Sequence, residues 1–299
     1  MAKPKASKVS RKAWAARIIS LSAIIFSAAV LPLPALAAKD VNTAPRQEMD
    51  YDVYAGGFHV VSSHLTVDTA KKNRYYLQLA AYTHGMLAKL APWKGIFQSE
   101  GWYDAKTGSA TAEKHFSDTT WRTEKEINEF FYNKNRTFKG YRITDKKGAR
   151  DEEKDKALTD GTTDVLTSTL AVMNRVAEGG KCEGRDEIFD GDRRYALIFH
   201  PVGEVELKKS DLNVYAGPAT ECTVEVKPIA GKWHDKPRGW MSIQEQGRAK
   251  GTMPTIWLAK MADGAPAVPV RIRVKTDYGT LFMHMTGYKG AGRTLALKR

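Results

Sequence analysis

The order of apolar and polar residues along the chain predicts a protein built mainly of β-strands. From residue 47 onwards, short runs rich in β-branched and aromatic residues are separated by turn residues such as glycine, asparagine and aspartate. The first two runs are joined by Ala55-Gly56-Gly57, which is typical of a hairpin, so we expect neighbouring strands to pair antiparallel. The runs cover residues 49–54, 58–67, 74–82, 99–104, 109–116, 123–132, 137–144, 195–199, 202–207, 223–227, 255–260, 268–276 and 280–286.

One segment follows the helical period instead. Between residues 165 and 177, apolar side chains recur at steps of three and four, after Thr162-Thr163-Asp164, whose side chains can cap a helix. Gly179-Gly180 then ends the pattern. Because its apolar face is broad, we expect this helix to lie buried against the sheet.

Three segments fit neither pattern well. Residues 85–97 (GMLAKLAPWKGIF) predict one or two helical turns that end at Pro92 and form a lid or rim. Residues 145–160 are rich in charge and predict a solvated surface loop. Residues 229–251, rich in glycine, lysine and tryptophan, predict a second loop, and His200-Pro201 predicts a break between two strands.

The N-terminus has the pattern of a cleaved signal peptide, residues 1–37. Six cations without an acidic residue precede an apolar run over residues 18–33, and Ala35-Leu36-Ala37 supplies the small residues of a cleavage site. The alternative is a permanent membrane anchor, but a spanning helix needs about 20 apolar residues, and this run is shorter and contains serines. The cations are Lys3, Lys5, Lys8, Arg11, Lys12 and Arg17.

The predicted cut lies before Ala38, where no cysteine is present to receive a lipid. We therefore expect a periplasmic protein that is not a lipoprotein, with a flexible segment over residues 38–46 and one β-rich domain over residues 47–299. Removing the six cations leaves 41 of the 47 basic residues against 34 acidic ones, a net charge of about +7. Such a charge favours peripheral contact with an anionic membrane or polymer, and nucleic acid is not an expected partner in this compartment.

The chain has two cysteines, Cys182 and Cys222. In an exported protein we expect them to form one structural disulfide, although they can also stay reduced or pair between chains. Neither belongs to a Cys-x-x-Cys motif, which disfavours a redox function. The bridge would close a loop of 41 residues, which the chain-entropy relation values at about 4 kcal/mol.

Several of these segments, in this order, resemble the exported bacterial family catalogued as domain of unknown function 3108, in its form with paired cysteines. The resemblance implies an antiparallel sheet curved around one main helix, a half-open barrel similar in outline to periplasmic lipoprotein carriers. Such a likeness of fold does not carry a function with it. The matching segments are residues 51–58 (YDVYAGGF), 164–166 (DVL), 189–195 (FDGDRRY), 215–222 (YAGPATEC), 256–258 (IWL) and 268–272 (VPVRI).

Catalytic motifs are missing from the sequence. It contains no Gly-x-Ser-x-Gly elbow, no phosphate-binding Gly-Lys-Ser/Thr loop and no His-Glu-x-x-His helix, so we expect neither an enzyme nor a cofactor. The seven histidines are scattered, and His59 and His64, five residues apart on one strand, should lie on opposite faces. We therefore expect no metal site.

The most conspicuous charged group is Asp190, Asp192, Arg193 and Arg194. A hydrolase or transferase would use one of these aspartates as a general base and Arg193 to bind an anion, with His200 nearby. The alternative is a hairpin turn, because Asp-Gly-Asp is common turn chemistry. We favour the turn and assign no catalytic residue.

Two apolar groups are candidates for binding. Met86, Leu87, Leu90, Trp93 and Phe97 are predicted to line a concave apolar pocket, with ordinary core as the alternative. A second set predicts either a basic and aromatic rim facing an anionic membrane or a solvated loop. It comprises Lys232, Trp233, Lys236, Arg238, Trp240, Met241, Arg248 and Lys250.

Three functions follow from these features. The first is a non-catalytic periplasmic envelope protein that binds a lipid, a lipoprotein or another apolar ligand in its concave sheet. The second is an envelope-integrity scaffold or protein-interaction factor, with another envelope protein as its partner and no ligand pocket. The third is a periplasmic hydrolase. The sequence specifies neither the partner nor the oligomeric state.

Overall fold

Antiparallel strands account for most of the structure, a computed structural model that describes residues 46–233, 240–249, 251–276 and 279–298. The predicted signal peptide and most of the segment that follows it lie outside these residues. The strands are β1 Gln47–Ala55, β2 Phe58–Asp68, β3 Arg74–Thr83, β4 Trp93–Asp104, β5 Ser109–Trp121, β6 Glu124–Tyr132, β7 Phe138–Asp145, β8 Gly148–Asp151, β9 Gly184–Phe189, β10 Arg193–Leu207, β11 Gly217–Gly231, β12 Thr255–Ala259, β13 Val268–Thr276, β14 Gly279–Gly290 and β15 Arg293–Ala296. The helices are α1 Gly85–Leu90, α2 Lys156–Thr159, α3 Val165–Ala177 and α4 Trp240–Ala249.

The strands form one sheet in which β1 lies near the centre. Strands β1 to β8 follow one another as neighbours on one side, and β14 to β9 continue the sheet on the other side in reverse order. Strand β1 pairs antiparallel with both β2 and β14, so the first and one of the last strands join the two halves. Short β15 pairs with β14 outside this series. The mainly β fold class predicted from the sequence is confirmed.

Helix α3 lies inside the curve of this sheet. It packs against β4 and β5 on one side and against β9, β10 and β12 on the other. Its buried residues include Leu170, Met173 and Val176, which join the main hydrophobic core. The predicted helix and its Asp164 N-cap are confirmed, and the sheet is curved around one main helix without closing into a barrel.

Side chains connect the two edges of the sheet. Phe189 of β9 packs against Phe130, Phe138 and Tyr141 of β6 and β7, with ring centroids 5.8, 5.6 and 6.3 Å apart. Edge-to-face contacts of this kind add to the burial of apolar area. Edge strand β9 is therefore held to β6 and β7, which lie beside the other edge strand β8, by an aromatic cluster rather than by a continuous ladder of hydrogen bonds.

Helix α4 covers a gap in the sheet. Strand β12 is short and pairs only with residues 220–223 of β11, so the later residues of β11 have no strand on the side away from β10. The side-chain amide of Gln244 lies in this place. Its Oε1 accepts from the Val226 amide at 2.5 Å, and its Nε2 donates to the Val226 carbonyl at 2.7 Å. The buried edge of β11 thus keeps its hydrogen bonds, as buried backbone requires.

Three segments differ from the sequence prediction. Trp93, Gly95 and Phe97 alternate as part of β4, so only residues 85–90 are helical. Residues 145–160 contain β8 and α2, since Arg142 and Arg150 pair with Asp151 and Asp145 across a hairpin. Helix α4 lies within the predicted loop 229–251.

The predicted break at His200-Pro201 is wrong, because β10 runs through it. The register against β11 shifts between Pro201 and Gly203, and a bulge tolerates a residue without an N–H group. Within the described ranges, no helix combines the length and the apolar character needed to cross a bilayer.

A disulfide joins Cys182, which follows α3, to Cys222 in β11. The two Cα atoms lie 5.9 Å apart, and both residues are fully buried in the main core. The bridge encloses β9, β10 and the start of β11, so it fixes the helix end to the strands that curve around it. The predicted disulfide is confirmed.

Replacing both cysteines with alanine should lower the melting temperature by about 10 °C, because the unfolded chain regains the entropy of an open loop. Thermal unfolding followed by circular dichroism, with and without reductant, measures this. The double variant should not respond to reductant, whereas the native protein should lose stability with it. Equal melting temperatures in all four samples would contradict a structural role.

Candidate functional site

A large apolar cavity lies between α3 and the inner face of the sheet. Its volume is about 560 Å³, within the range of about 300–1,000 Å³ that is usual for ligand pockets. Its wall comes from strands of both halves of the sheet and from the first turns of α3. The lining residues are Tyr51, Leu65, Leu77, Leu79, Val165, Leu166, Thr169, Met173, Asp190, Arg193, Tyr195, Leu197, Phe199, Val224, Val226, Trp233, Pro254, Thr255, Ile256, Pro269, Ile272 and Met283.

The position of α3 explains why this space is unfilled by protein. The helix begins beside Ser99 in the middle of β4, and its Asn174 Nδ2 donates to the Gly108 carbonyl at the far end of the sheet. The helix therefore fills one half of the curve and leaves the other half open. Inward-facing Val224, Ile272 and Met283 are only partly buried, because their side chains face the cavity.

The polar side chains deep in the cavity wall are uncharged. The Tyr51 hydroxyl donates to the Pro269 carbonyl at 2.8 Å, which satisfies it. Burial raises the pKa of Tyr51, with a smaller contribution from Asp50, and burial also raises the pKa of Tyr195. Both phenols thus stay neutral at physiological pH, and the inner cavity suits hydrocarbon.

Asp190, Arg193 and Trp233 lie together at the mouth of the cavity. Arg193 Nε and Nη2 lie 2.9 and 2.6 Å from Asp190 Oδ2. The guanidinium lies 5.1 Å from the centroid of the Trp233 ring, whose Nε1 donates to the Ala230 carbonyl at 2.9 Å. The mouth therefore combines a cation, a carboxylate and an aromatic ring.

The aspartates of this group also form the predicted turn. Asp190 Oδ1 accepts from the amides of Asp192 and Arg193 at 3.3 and 2.9 Å, and Gly191 has a φ of 106°, which favours glycine. His200 does not join them, since it lies seven residues further along β10 and its Nε2 is 2.8 Å from Glu225. The hydrolase arrangement of aspartate, arginine and histidine is therefore not assembled.

The five residues predicted to bind a ligand lie outside the lining of the cavity. Met86 and Leu90 are 74% and 67% exposed on α1, Leu87 is half-buried there, and Trp93 and Phe97 belong to β4. Phe97 is the cross-strand partner of Leu79, which does line the cavity. Their role in binding stays a prediction.

The predicted basic and aromatic rim is only partly described. Trp233 lies at the mouth, Lys232 lies 3.6 Å from Asp192, and Arg248 of α4 lies 2.6 Å from Glu225. Lys236, Arg238 and Lys250 lie outside the described residues, as do the side chains of Trp240 and Met241.

His59 and His64 lie on the same face of β2, contrary to the sequence prediction. Val53 pairs with Val61 and Tyr54 with His59, so Val60 forms a bulge that reverses the alternation. His59 Nε2 lies 3.1 Å from Asp52, and His64 Nδ1 lies 2.8 Å from Asp50.

These histidines lack the geometry of a proton relay. Ser62 Oγ lies 3.0 Å from His59 Nε2, the same ring nitrogen that contacts Asp52. A catalytic triad instead places serine and aspartate on opposite nitrogens of the imidazole. In the part of the chain that the structure describes, no three histidine, cysteine or acidic side chains are arranged to hold a metal ion.

A second serine, histidine and aspartate group anchors the start of α3. Asp164 Oδ1 accepts from the amides of Leu166 and Thr167 at 2.9 Å each and from Ser99 Oγ at 2.6 Å. Ser99 Oγ in turn lies 2.7 Å from His115 Nδ1, and burial lowers the pKa of His115 although Asp164 opposes the shift. All of these side chains are buried, which is typical of a structural cap.

The sequence model of the family described as "Protein of unknown function (DUF3108)" matches residues 50–286, most of the chain. The chain belongs to this family. A search of curated proteins finds none that matches it. It is also similar to the crystal structure of a "Beta-barrel-like Protein of Domain of Unknown Function DUF1849 from Brucella abortus", with 10% identity and a TM-score of 0.45 over 85% of this chain and 100% of that one.

Sequence reasoning missed most of the cavity wall. Leu79 and Met283 lie in predicted strands, and their alternation identifies them as inward-facing, but core residues show the same pattern. One signal could have indicated a cavity: the sequence predicts many apolar strands and only one helix, of 13 residues, to cover them. Asp190 and Arg193 were predicted to belong to a turn rather than to a catalytic site, and the sequence did not indicate that this turn lies at the mouth of a cavity.

Replacing Asp164 with alanine should lower the free energy of unfolding by about 3 kcal/mol, because it removes the N-cap and leaves buried partners unsatisfied. Urea unfolding measures this change. The control is Asp155→Ala, which removes the exposed cap of α2, where Asp155 Oδ1 accepts from the Ala157 amide at 2.9 Å. We expect the control to lose less than about 1 kcal/mol. Equal losses of free energy in the two variants would show that the buried network around Asp164 does not add to stability beyond an ordinary helix cap.

Proposed function

We propose that this protein is a non-catalytic envelope protein of the bacterial periplasm that binds the hydrocarbon part of a lipid or a lipoprotein. The observation that carries the proposal is the cavity of about 560 Å³ with apolar walls and a polar mouth. Each methylene that enters such a site gains about 0.8 kcal/mol, so a chain of moderate length can bind tightly.

The mouth fits the polar end of such a ligand. Asp190 accepts hydrogen bonds from Nε and Nη2 of Arg193. Because a guanidinium has five N–H donors, the remaining donors of Arg193 can bind a carboxylate or phosphate group of the ligand. Trp233 beside it offers an apolar face next to the charge, an arrangement that suits the boundary between a head group and a chain.

The proposed location agrees with two features. The buried Cys182–Cys222 disulfide is typical of proteins that fold outside the cytoplasm. The N-terminal sequence has the cations, the apolar run and the small residues of an exported protein. Free lipids and the acyl chains of lipoproteins share the same chemistry, and the mass of what co-purifies distinguishes them.

The direct test is native mass spectrometry of the protein purified from the periplasm, followed by lipid extraction. We expect an added mass of a lipid, or of a lipoprotein that carries its acyl chains. A protein that is free of ligand and also fails to bind a fluorescent fatty acid in solution would overturn the proposal.

Narrowing the cavity should weaken binding. Val224→Phe combined with Val226→Phe adds two rings to the wall while keeping residues that favour strands, so the affinity for the fluorescent fatty acid should fall at least about tenfold. Val202→Phe is the control, since Val202 is 57% exposed on β10 and does not line the cavity. An unchanged affinity in the double variant would place the ligand elsewhere.

Arg193→Met should change the selectivity for the head group. We expect the affinity for a fatty acid to fall about tenfold, and the affinity for the neutral alcohol of equal length to stay nearly constant, because only the acid loses a charge-assisted hydrogen bond. Competition titrations with both compounds measure this. Arg185→Met is the control, because Arg185 is exposed on β9 and does not line the cavity. An equal loss of affinity for both compounds in Arg193→Met would exclude a contact between Arg193 and the head group.

A further inference from the structure

We infer that the end of the sheet that carries the cavity mouth docks on the surface of a bilayer containing anionic lipids. This docking goes beyond the proposed ligand binding and concerns a different set of residues. It rests on three features of the described residues: the common position of several turns, the apolar side chains exposed there, and an excess of unpaired cations.

The turns share one end because neighbouring strands are antiparallel. Strands β1, β3, β5 and β7 all end there, and so do β9, β11 and β13 on the other half of the sheet. The turn after β9 contains Asp190, and Trp233 follows β11, so the mouth of the cavity lies at the same end. Helix α1 lies there too, between β3 and β4.

Large apolar side chains are exposed at this end. We call Phe58, Met86, Leu90 and Trp121 the open-end surface, and these residues are 75%, 74%, 67% and 48% exposed. They are neighbours, because α1 packs against β2 and β3, and Trp121 pairs with Trp93, which follows α1. Several exposed apolar residues in one patch mark an interaction surface.

The charges around this surface select an anionic partner. Six cations near these turns form no ion pair with any described residue, whereas among the described acidic residues there only Glu124, Glu126 and Glu245 are without one. Aromatic, aliphatic and basic side chains together are what a protein uses to bind the interface of an anionic membrane. The six cations are Lys89, Lys94, Arg122, Lys146, Lys147 and Lys275.

Docking by this end would bring the cavity mouth to the lipid surface. A ligand with a hydrocarbon chain is poorly soluble, so a transfer between bilayer and cavity costs least when the mouth faces the bilayer. The docking surface does not include the cavity wall. Binding to membranes and binding of ligand are therefore separable in experiment.

The test is co-sedimentation of the full-length mature protein with vesicles of phosphatidylcholine, with and without phosphatidylglycerol. We expect binding to the anionic vesicles that weakens with salt. Met86→Gln with Leu90→Gln should weaken it at least about tenfold. Lys89→Gln with Lys94→Gln should weaken it about fivefold for each charge.

Two matched controls come from the opposite end of the sheet. Val202→Gln with Leu212→Gln removes two apolar side chains that are 57% and 41% exposed, and Lys208→Gln with Lys209→Gln removes two exposed cations. Both controls should bind vesicles as the native protein does. The cavity variant Val224→Phe with Val226→Phe should also keep vesicle binding, which separates this inference from the proposed ligand site.

Three outcomes would overturn the inference. The native protein binds neither kind of vesicle, or the controls lose binding as strongly as the open-end variants, or a photo-cross-linker at Met86 captures an envelope protein without any vesicle binding. In the last case the surface serves a protein partner. Circular dichroism and thermal unfolding, measured on every variant, show that each one is folded.

Discussion

The structure depends on burying the apolar inner face of a very wide sheet. Fourteen strands follow one another as neighbours, and a single helix of 13 residues lies within their curve. One helix of this length spans about 20 Å and cannot cover such a face. The sheet buries part of this face by curving until Phe189 of β9 contacts side chains of β6 and β7. The part of the face that neither the helix nor this contact covers lines the cavity.

The anchoring of α3 decides where that cavity lies. Asp164 joins the start of the helix to Ser99 of β4, Asn174 joins its last turns to Gly108, and the disulfide at Cys182 follows a few residues after the helix ends. Because these contacts fix the helix in one half of the curve, the other half stays open. The mouth then forms where the turn after β9 meets the residue that follows β11.

Two groups singled out in the sequence, one charged and one apolar, have positions in the folded structure that the sequence did not indicate. Asp190 is a turn residue, and the same turn places its carboxylate on Arg193 at the entrance to an apolar space. The residues of α1 do not line that space, but Met86 and Leu90 lie exposed at the same end of the sheet. The proposed ligand site in the cavity and the proposed membrane-contact surface therefore belong to different elements of the fold.

The sequence by itself determined the local elements. Alternation predicted the strands, the helical period with Asp164 predicted α3, and two cysteines in a chain with a predicted export signal predicted the disulfide. These features depend on residues close in the chain or on a single pair. Local patterns failed at β-bulges, beside His59 and at Pro201. An inserted residue moves every later side chain of the strand to the opposite face of the sheet.

Only the tertiary structure decided which inward-facing residues are core and which face a cavity. Leu77 and Leu79 have the same alternation in β3, yet Leu77 is buried and Leu79 is only half-buried where the helix no longer covers it. Periodicity specifies the face of a strand, whereas the filling of the space above that face depends on how far a distant helix extends. The disposition of Asp190, Arg193 and Trp233 around one mouth likewise follows from the curvature of the sheet, which no short segment encodes.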